Sequence, residues 1–243
     1  MAYKVSLDYS PNFDSKKRKK NQIKYLIFHY TGMKSENSAI KRLTDVKSNV
    51  SCNYLIKKNG DIISMVPDLY TAWHAGKSSW KNCQSLNKSS IGIEITNPGH
   101  SHGYKQFSNF QIISLIKLSK FLIKKYKINL KNILGHSDIA PERKKDPGEK
   151  FPWKKLARFN LAIWHKISEK NLKKNRLKKL RQTEEIKFLK YLYTFGYKKI
   201  EELNWNSNKK IITKAFQRRF RQSLINGIPD KECLLIIKNL LKS

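Results

Sequence analysis

Residues 23–30 read IKYLIFHY, a short run that is apolar or aromatic at every position except Lys24 and His29. A run of this length and composition, without turn residues, is a buried strand that carries His29 at its end. SIGIEIT (90–96) is a second such run. There Ile91, Ile93 and Ile95 alternate with Gly92 and Glu94, so the carboxylate points to the face opposite the isoleucines. NILGH (132–136) is a third strand and delivers His136. Between them, CNYLIKKNGDIISMVPD (52–68) forms a hairpin across Asn59-Gly60, because Asn-Gly supplies the positive φ angles of a tight turn.

The connections read as helices. Residues 36–47 are helical. In 107–126, Phe110, Ile113, Leu115, Ile116, Leu118, Phe121 and Leu122 make a wide apolar face at helical spacing. Residues 151–174 continue as a helix with Trp153, Leu156, Phe159, Ala162 and Ile163 on one side. Strands alternating with helices predict an α/β fold, a mixed central β-sheet flanked by helices. The charged stretch SEKNLKKNRLKKLRQTEE (168–185) reads as a continuation of the helix or as a linker, and the linker suits the change that follows. Beyond it, helices at 186–195, 208–222 and 230–242 predict a small all-α, three-helix C-terminal domain. The expected division is 1–175 and 184–243, with the second part folding independently.

Lys and Arg number 51 against 18 Asp and Glu, a net charge of +33. Nine of the 51 are Arg, leaving 42 Lys. A phosphate-reading surface favours Arg forks, so the excess reads as lysine spread over a solvated surface, and no specific nucleic acid is expected as a partner. Cys52, Cys83 and Cys233 form no CxxC pair and indicate neither a thiolate zinc cluster nor a disulfide framework. No apolar run is long enough to span a membrane. The stretch MAYKVSLDYSPNFDSKKRKK (1–20) lacks the apolar segment of a secretory signal, so a cytoplasmic location is expected, with the cell envelope or periplasm as the alternative.

The chemistry concentrates in LGHSDIAPERKKDPGEKFPW (134–153). A hydrolytic zinc site needs three N or O ligands and one open position. His29 and His136 stand at strand ends, where a side chain projects from a rigid base. Asp146 precedes Pro147, which biases it to an extended conformation. Lys144, two residues earlier, then faces the same way. The loop thus brings a carboxylate and a cation to one point. A histidine in an aromatic strand also packs as an ordinary core residue, and Glu94 also fits a strand's solvent face. Asp138 reads as a turn cap or a support for His136, and His100 and His102, on a Gly/Pro loop, as solvated.

HYT (29–31), AWHAG (72–76), SIGIEI (90–95) and GHSDIAPERKKDPG (135–148) together resemble the type 2 N-acetylmuramoyl-L-alanine amidases, a zinc amidase family. Within it the chain is similar to the branch that carries a C-terminal peptidoglycan-binding-like module; TFGY (194–197) and residues 211–232 resemble that module. The resemblance implies one zinc ion held by His29, His136 and Asp146, Glu94 as general base, and Lys144 as the cation facing the oxyanion. Trp73, His74, Asn97 and Arg143 are expected to bind substrate. The implied reaction is hydrolysis of the amide between N-acetylmuramic acid, or its anhydro form, and L-alanine in peptidoglycan or muropeptides, by a monomer. At Asn53 the sequence departs from the family's S-x-H-Y pattern, outside the ligand set. Two other readings compete: a non-catalytic peptidoglycan-recognition protein, which would typically lack the third ligand, and a basic nucleic-acid-binding protein, which leaves the histidines unexplained.

Overall fold

The computed structural model describes residues 5–242. The chain begins with β1 (Val5–Leu7), β2 (Phe13–Asp14), β3 (Tyr25–Tyr30), α1 (Glu36–Thr44), β4 (Tyr54–Ile56) and β5 (Ile62–Ser64). Short strands β6 (Thr71–Ala72), β7 (Ser79–Trp80) and β8 (Cys83–Gln84) lead to β9 (Ser90–Ile95) and α2 (Asn109–Tyr126). Then come β10 (Ile133–Gly135), α3 (His136–Ile139), α4 (Trp153–Arg158) and α5 (Glu169–Asn175). Helices α6 (Gln182–Phe195), α7 (Trp205–Phe220) and α8 (Lys231–Leu241) follow.

Six strands form one sheet in the order β1-β5-β4-β9-β3-β10. β10, β3, β9 and β4 run parallel, and β5 returns antiparallel to β4 across the Asn59-Gly60 turn. The sheet is mixed, as the sequence predicts. Its central strands are apolar on both faces because both faces are covered.

On one face, Leu26 and Phe28 of β3 and Ile91, Ile93 and Ile95 of β9 pack against α2 and α4. The inward row of α2 is Ile112, Leu115, Leu118, Leu122 and Tyr126. Phe110, Ile113 and Phe121, expected on the same face, are 57%, 48% and 54% exposed. A helix lying on a flat sheet buries a narrower stripe than the sequence offers. The expected helix over 151–174 is interrupted: α4 ends at Arg158, and Asn160 takes a left-handed conformation (φ 54) that stops it.

On the opposite face, Tyr25 and Ile27 of β3 and Leu134 of β10 join Trp80, Leu86 and Ile139 in a cluster that runs into Phe188, Leu192, Phe216, Phe220 and Ile237 of α6, α7 and α8. One apolar core therefore links the sheet to the C-terminal helices. The stretch 168–185, read as a linker, is packed: it carries α5, whose Leu172 is buried in this cluster, and Lys179 forms a β-bridge with Asp230.

Polar contacts reinforce the joint. Arg219 of α7, 1% exposed, donates from Nη1 to Asp138 Oδ2 at 2.8 Å and from Nη2 to the Ile133 carbonyl at 2.8 Å. Its guanidinium lies 4.5 Å from the centre of the Trp153 ring. Tyr197 donates its hydroxyl to Asp138 Oδ1 at 2.7 Å. Asp138 also accepts the Gly135 amide, so this pairing grips the end of β10 immediately before His136.

Candidate metal centre

β3 turns Tyr25, Ile27 and His29 to the face that the C-terminal helices partly cover. The first two are buried under those helices, whereas His29, also buried, packs against His136 and Asp146, which line a cleft. Glu94 stands beside it, because β3 and β9 pair in parallel with His29 opposite Glu94. His136 follows β10 directly. Asp146 is brought back by the loop after α3: its carbonyl accepts the Ser137 amide at 2.8 Å, and the Asp146–Pro147 peptide is cis. Gly135 permits this close return, since a Cβ there would lie 2.6 Å from Pro147 Cδ.

Three donor atoms converge. His29 Nδ1 lies 2.9 Å from His136 Nδ1, and each lies 3.0 Å from Asp146 Oδ2. The outer nitrogens determine what those atoms carry. His136 Nε2 faces the Ala75 carbonyl at 3.1 Å; a carbonyl only accepts, so Nε2 bears the proton and Nδ1 a lone pair. Ser90 donates its hydroxyl to the Leu86 carbonyl and therefore accepts from His74 Nε2 at 3.0 Å. That leaves His74 Nδ1 to accept from His29 Nε2 at 3.0 Å, and again Nδ1 of His29 is a lone pair. The tautomers follow from two sets of hydrogen bonds, each ending on a backbone carbonyl. Burial, then the neighbouring imidazole of His136, lowers His29 to about 4; burial and His29 hold His74 well below its ordinary value. Both rings are neutral near pH 7.

Two lone pairs and a carboxylate about 3 Å apart repel one another unless a cation sits among them. Tetrahedral zinc takes N and O ligands at about 2.0–2.2 Å, a distance that three donors so spaced can all satisfy at once. Among the described residues this is the one group of three His, Cys, Asp or Glu side chains placed to hold a metal ion. The donor set fits a single metal with an open side.

That open side meets Glu94 and Lys144, which line the same cleft of about 480 Å³. Glu94 Oε2 is buried without a hydrogen-bond partner. Burial, then the charge of Asp146, pushes its carboxyl up to about 8, with Lys144 pulling the other way. A divalent cation would act in the same direction as Lys144.

The other expected site residues are placed less uniformly. Trp73 and Arg143 line the cleft, though the Arg143 guanidinium is already bonded to the carbonyls of Ala75 and Lys77. His74 shows an edge to the cleft, but its ring nitrogens serve His29 and Ser90. Its ring occupies the space above Gly92, where a Cβ would lie 2.4 Å from His74 Cγ. Asn97 lies outside the cleft lining, 3% exposed, with its amide bonded to the Lys105 carbonyl and the Gly99 amide. Asn53 is wholly buried and ties β9 to β5's end, accepting the Gly92 amide and donating to the Val66 carbonyl. His100, read as solvated, instead bonds Tyr30 at 2.9 Å and Glu149 at 3.1 Å and stacks on Tyr104. Tyr30 and His100 line the cleft, and nothing in the local sequence pairs them.

A donor set for one metal ion with an adjoining carboxylate and lysine, at the carboxyl ends of parallel strands, fits the layout of a metal-assisted hydrolase. Comparison with known proteins makes the class specific. Residues 19–149 match the Amidase_2 family, N-acetylmuramoyl-L-alanine amidase. The N-acetylmuramoyl-L-alanine amidase AmiD of Escherichia coli is 36% identical over 233 residues, covering 91% of this chain and 83% of AmiD. Its structure, in complex with the substrate anhydro-N-acetylmuramic acid-L-Ala-D-gamma-Glu-L-Lys, superposes with a TM-score of 0.81 at 34% identity over 91% of this chain and 89% of that one. AmpDH3 of Pseudomonas aeruginosa superposes with a TM-score of 0.79 at 28% identity, covering 98% of each chain. The chain belongs to the N-acetylmuramoyl-L-alanine amidase family.

Proposed function

We propose that this site hydrolyses the amide between N-acetylmuramic or anhydro-N-acetylmuramic acid and L-alanine in muropeptides, with one zinc ion held by His29, His136 and Asp146. The convergence of their three donor atoms beside the unpartnered Glu94 oxygen carries the reading. Bound zinc supplies Lewis acidity that makes water nucleophilic near neutral pH and polarises the scissile carbonyl. Glu94 takes the proton of the attacking water and returns it to the amine of L-alanine as the C–N bond breaks. Lys144 faces the oxygen that gains negative charge, in a cleft where solvent screens it weakly. His74 and Ser90 hold His29 in the tautomer that presents its lone pair. Trp73 and Arg143 contribute cleft wall on the substrate side. Every residue in this scheme comes from one chain, so a monomer suffices.

Among the described residues no helix is long and apolar enough to cross a membrane, and the reading keeps the cytoplasm as the working location, checked by fractionating cells that produce a tagged chain. Incubation of the zinc-loaded protein with anhydro-N-acetylmuramyl-L-Ala-γ-D-Glu-L-Lys should release the free peptide, read by mass spectrometry. Glu94→Gln should keep one zinc per chain and lower kcat roughly 10²–10⁴-fold. Intact substrate with fully loaded protein would refute the activity, and an unimpaired Glu94→Gln would move the base elsewhere.

A further inference from the structure

Three arginines follow closely on α7 and its end, and they differ in what they meet. Arg219 pairs with Asp138, and Arg221 with Asp230. Arg218 is half-buried, yet among the described residues its guanidinium has no hydrogen-bond or ion-pair partner. Burial lowers its pKa, while the more distant charge of Glu149 and then Tyr30 favour its charged form. A half-buried guanidinium without a protein partner keeps its donors available to water or to an anionic ligand.

Its surroundings indicate which anion. Arg218 and Lys214 of α7 face Arg143, Lys144 and Lys145 across a cavity of about 220 Å³. Glu142 is the one carboxylate in that lining, and it lies 3.8 Å from Arg143. Arg143, Lys144 and Lys145 also line the catalytic cleft, so the two spaces adjoin across this segment. The cleft lining contributed by α1 and its flanking loops includes the apolar side chains Met33, Ala39, Leu43 and Val50, with Arg42 as its one charged residue.

We propose that Arg218, with Lys214, forms a carboxylate-binding subsite for the peptide stem, so that the C-terminal helices build part of the substrate site. This rests on the amidase reading, and it orients the substrate: the peptide lies toward α7 and the sugar toward α1. A γ-linked glutamate carries a free α-carboxylate, and a planar guanidinium binds such a group through two parallel hydrogen bonds.

The test compares two substrates on the zinc-loaded full chain: anhydro-N-acetylmuramyl-L-Ala-γ-D-Glu-L-Lys, and the same compound with the glutamate α-carboxylate converted to the carboxamide. Wild type should favour the acid by about tenfold in kcat/KM, through KM. Arg218→Gln should bring that ratio close to one, Arg218→Lys should restore part of it, and Lys214→Gln should reduce it less. Equal effects of Arg218→Gln on acid and amide, or a wild type indifferent to the carboxylate, would overturn the subsite. Calorimetry with the peptide L-Ala-γ-D-Glu-L-Lys separates this from the reaction itself. Peptide binding that weakens in Arg218→Gln while no substrate is cleaved would retain the subsite and refute the amidase reading. Turnover by wild type without acid preference would do the reverse. Should Arg218→Gln lose its zinc or its fold, Lys214→Gln and Arg218→Lys carry the same acid-to-amide comparison.

Discussion

Asp138 and Asp146 are carried on one stretch of chain and are almost equally hidden, at 1% and 6% exposure, yet their partners are opposite in kind. Asp138 meets a guanidinium and a phenol, both donors, and its charge is answered within the protein. Asp146 meets two imidazole lone pairs, and its charge is answered only by a cation from outside. The first arrangement is complete on folding; the second is completed by binding. A buried carboxylate therefore signals structure or chemistry according to whether its neighbours donate or accept.

The most severe test removes the source of Asp138's partners. Ending the chain near residue 180 deletes Arg219, Tyr197 and the helical half of a shared core. The shortened protein should lack a cooperative thermal transition, measured by circular dichroism. A sharp transition with zinc still bound would establish 1–175 as an independent unit. Next in size, Asp146→Asn should reduce zinc from one equivalent to near none and abolish turnover. It should leave the stability of the metal-free protein within about 1 kcal/mol of wild type, since an amide can donate to the imidazole nitrogens. Elemental analysis and denaturant titration decide it, and full zinc retention would remove Asp146 from the ligand set.

Asp138→Asn should do the converse, destabilising the fold by roughly 3–5 kcal/mol by leaving Arg219 buried without its anion. The folded fraction should still bind zinc. Adding Arg219→Met should recover much of the loss; a double variant no better than the single would mean the pair is not coupled. The smallest effect concerns pH. The folded-state pKa of Glu94, about 8, lies above that of an ordinary carboxyl. The folded metal-free protein thus holds a proton that the unfolded chain releases, and stability falls as pH rises from about 4.5 toward 8. His29, lowered to about 4, acts oppositely below pH 6.5, so the window from 6.5 to 8 isolates Glu94. Glu94→Gln should flatten the slope there; an unchanged slope would assign it to another group.

The parts of this contrast were unequally legible in the sequence. His29, His136 and Asp146 could be picked out because each is marked locally, by a strand end or a flanking proline. The hairpin and the mixed character of the sheet were legible for the same reason, whereas the strand order is set by long-range pairing and was not. The partners of Asp138 lie 59 and 81 residues away and leave no local trace. Hence the charged stretch at 168–185 reads as a tether, although Leu172 and Lys179 fix it in place. His74 was visible as a site residue, but its position behind His29 depends on the missing side chain of Gly92. Asn97 sits in a loop near the site, and only the fold reveals that its amide is committed to backbone.

The hydrogen-bond chain from His29 through His74 and Ser90 to the Leu86 carbonyl, together with the bond from His136 to Ala75, has a consequence for acid. Since Nε2 of each ligand ring already bears hydrogen, a further proton can add only at the nitrogen that faces the centre. Protons and metal are then direct competitors for the same two atoms. Acidification should expel the ion with uptake of one proton per ring, a stoichiometry that a site with freely rotating or differently tautomerised imidazoles would not enforce.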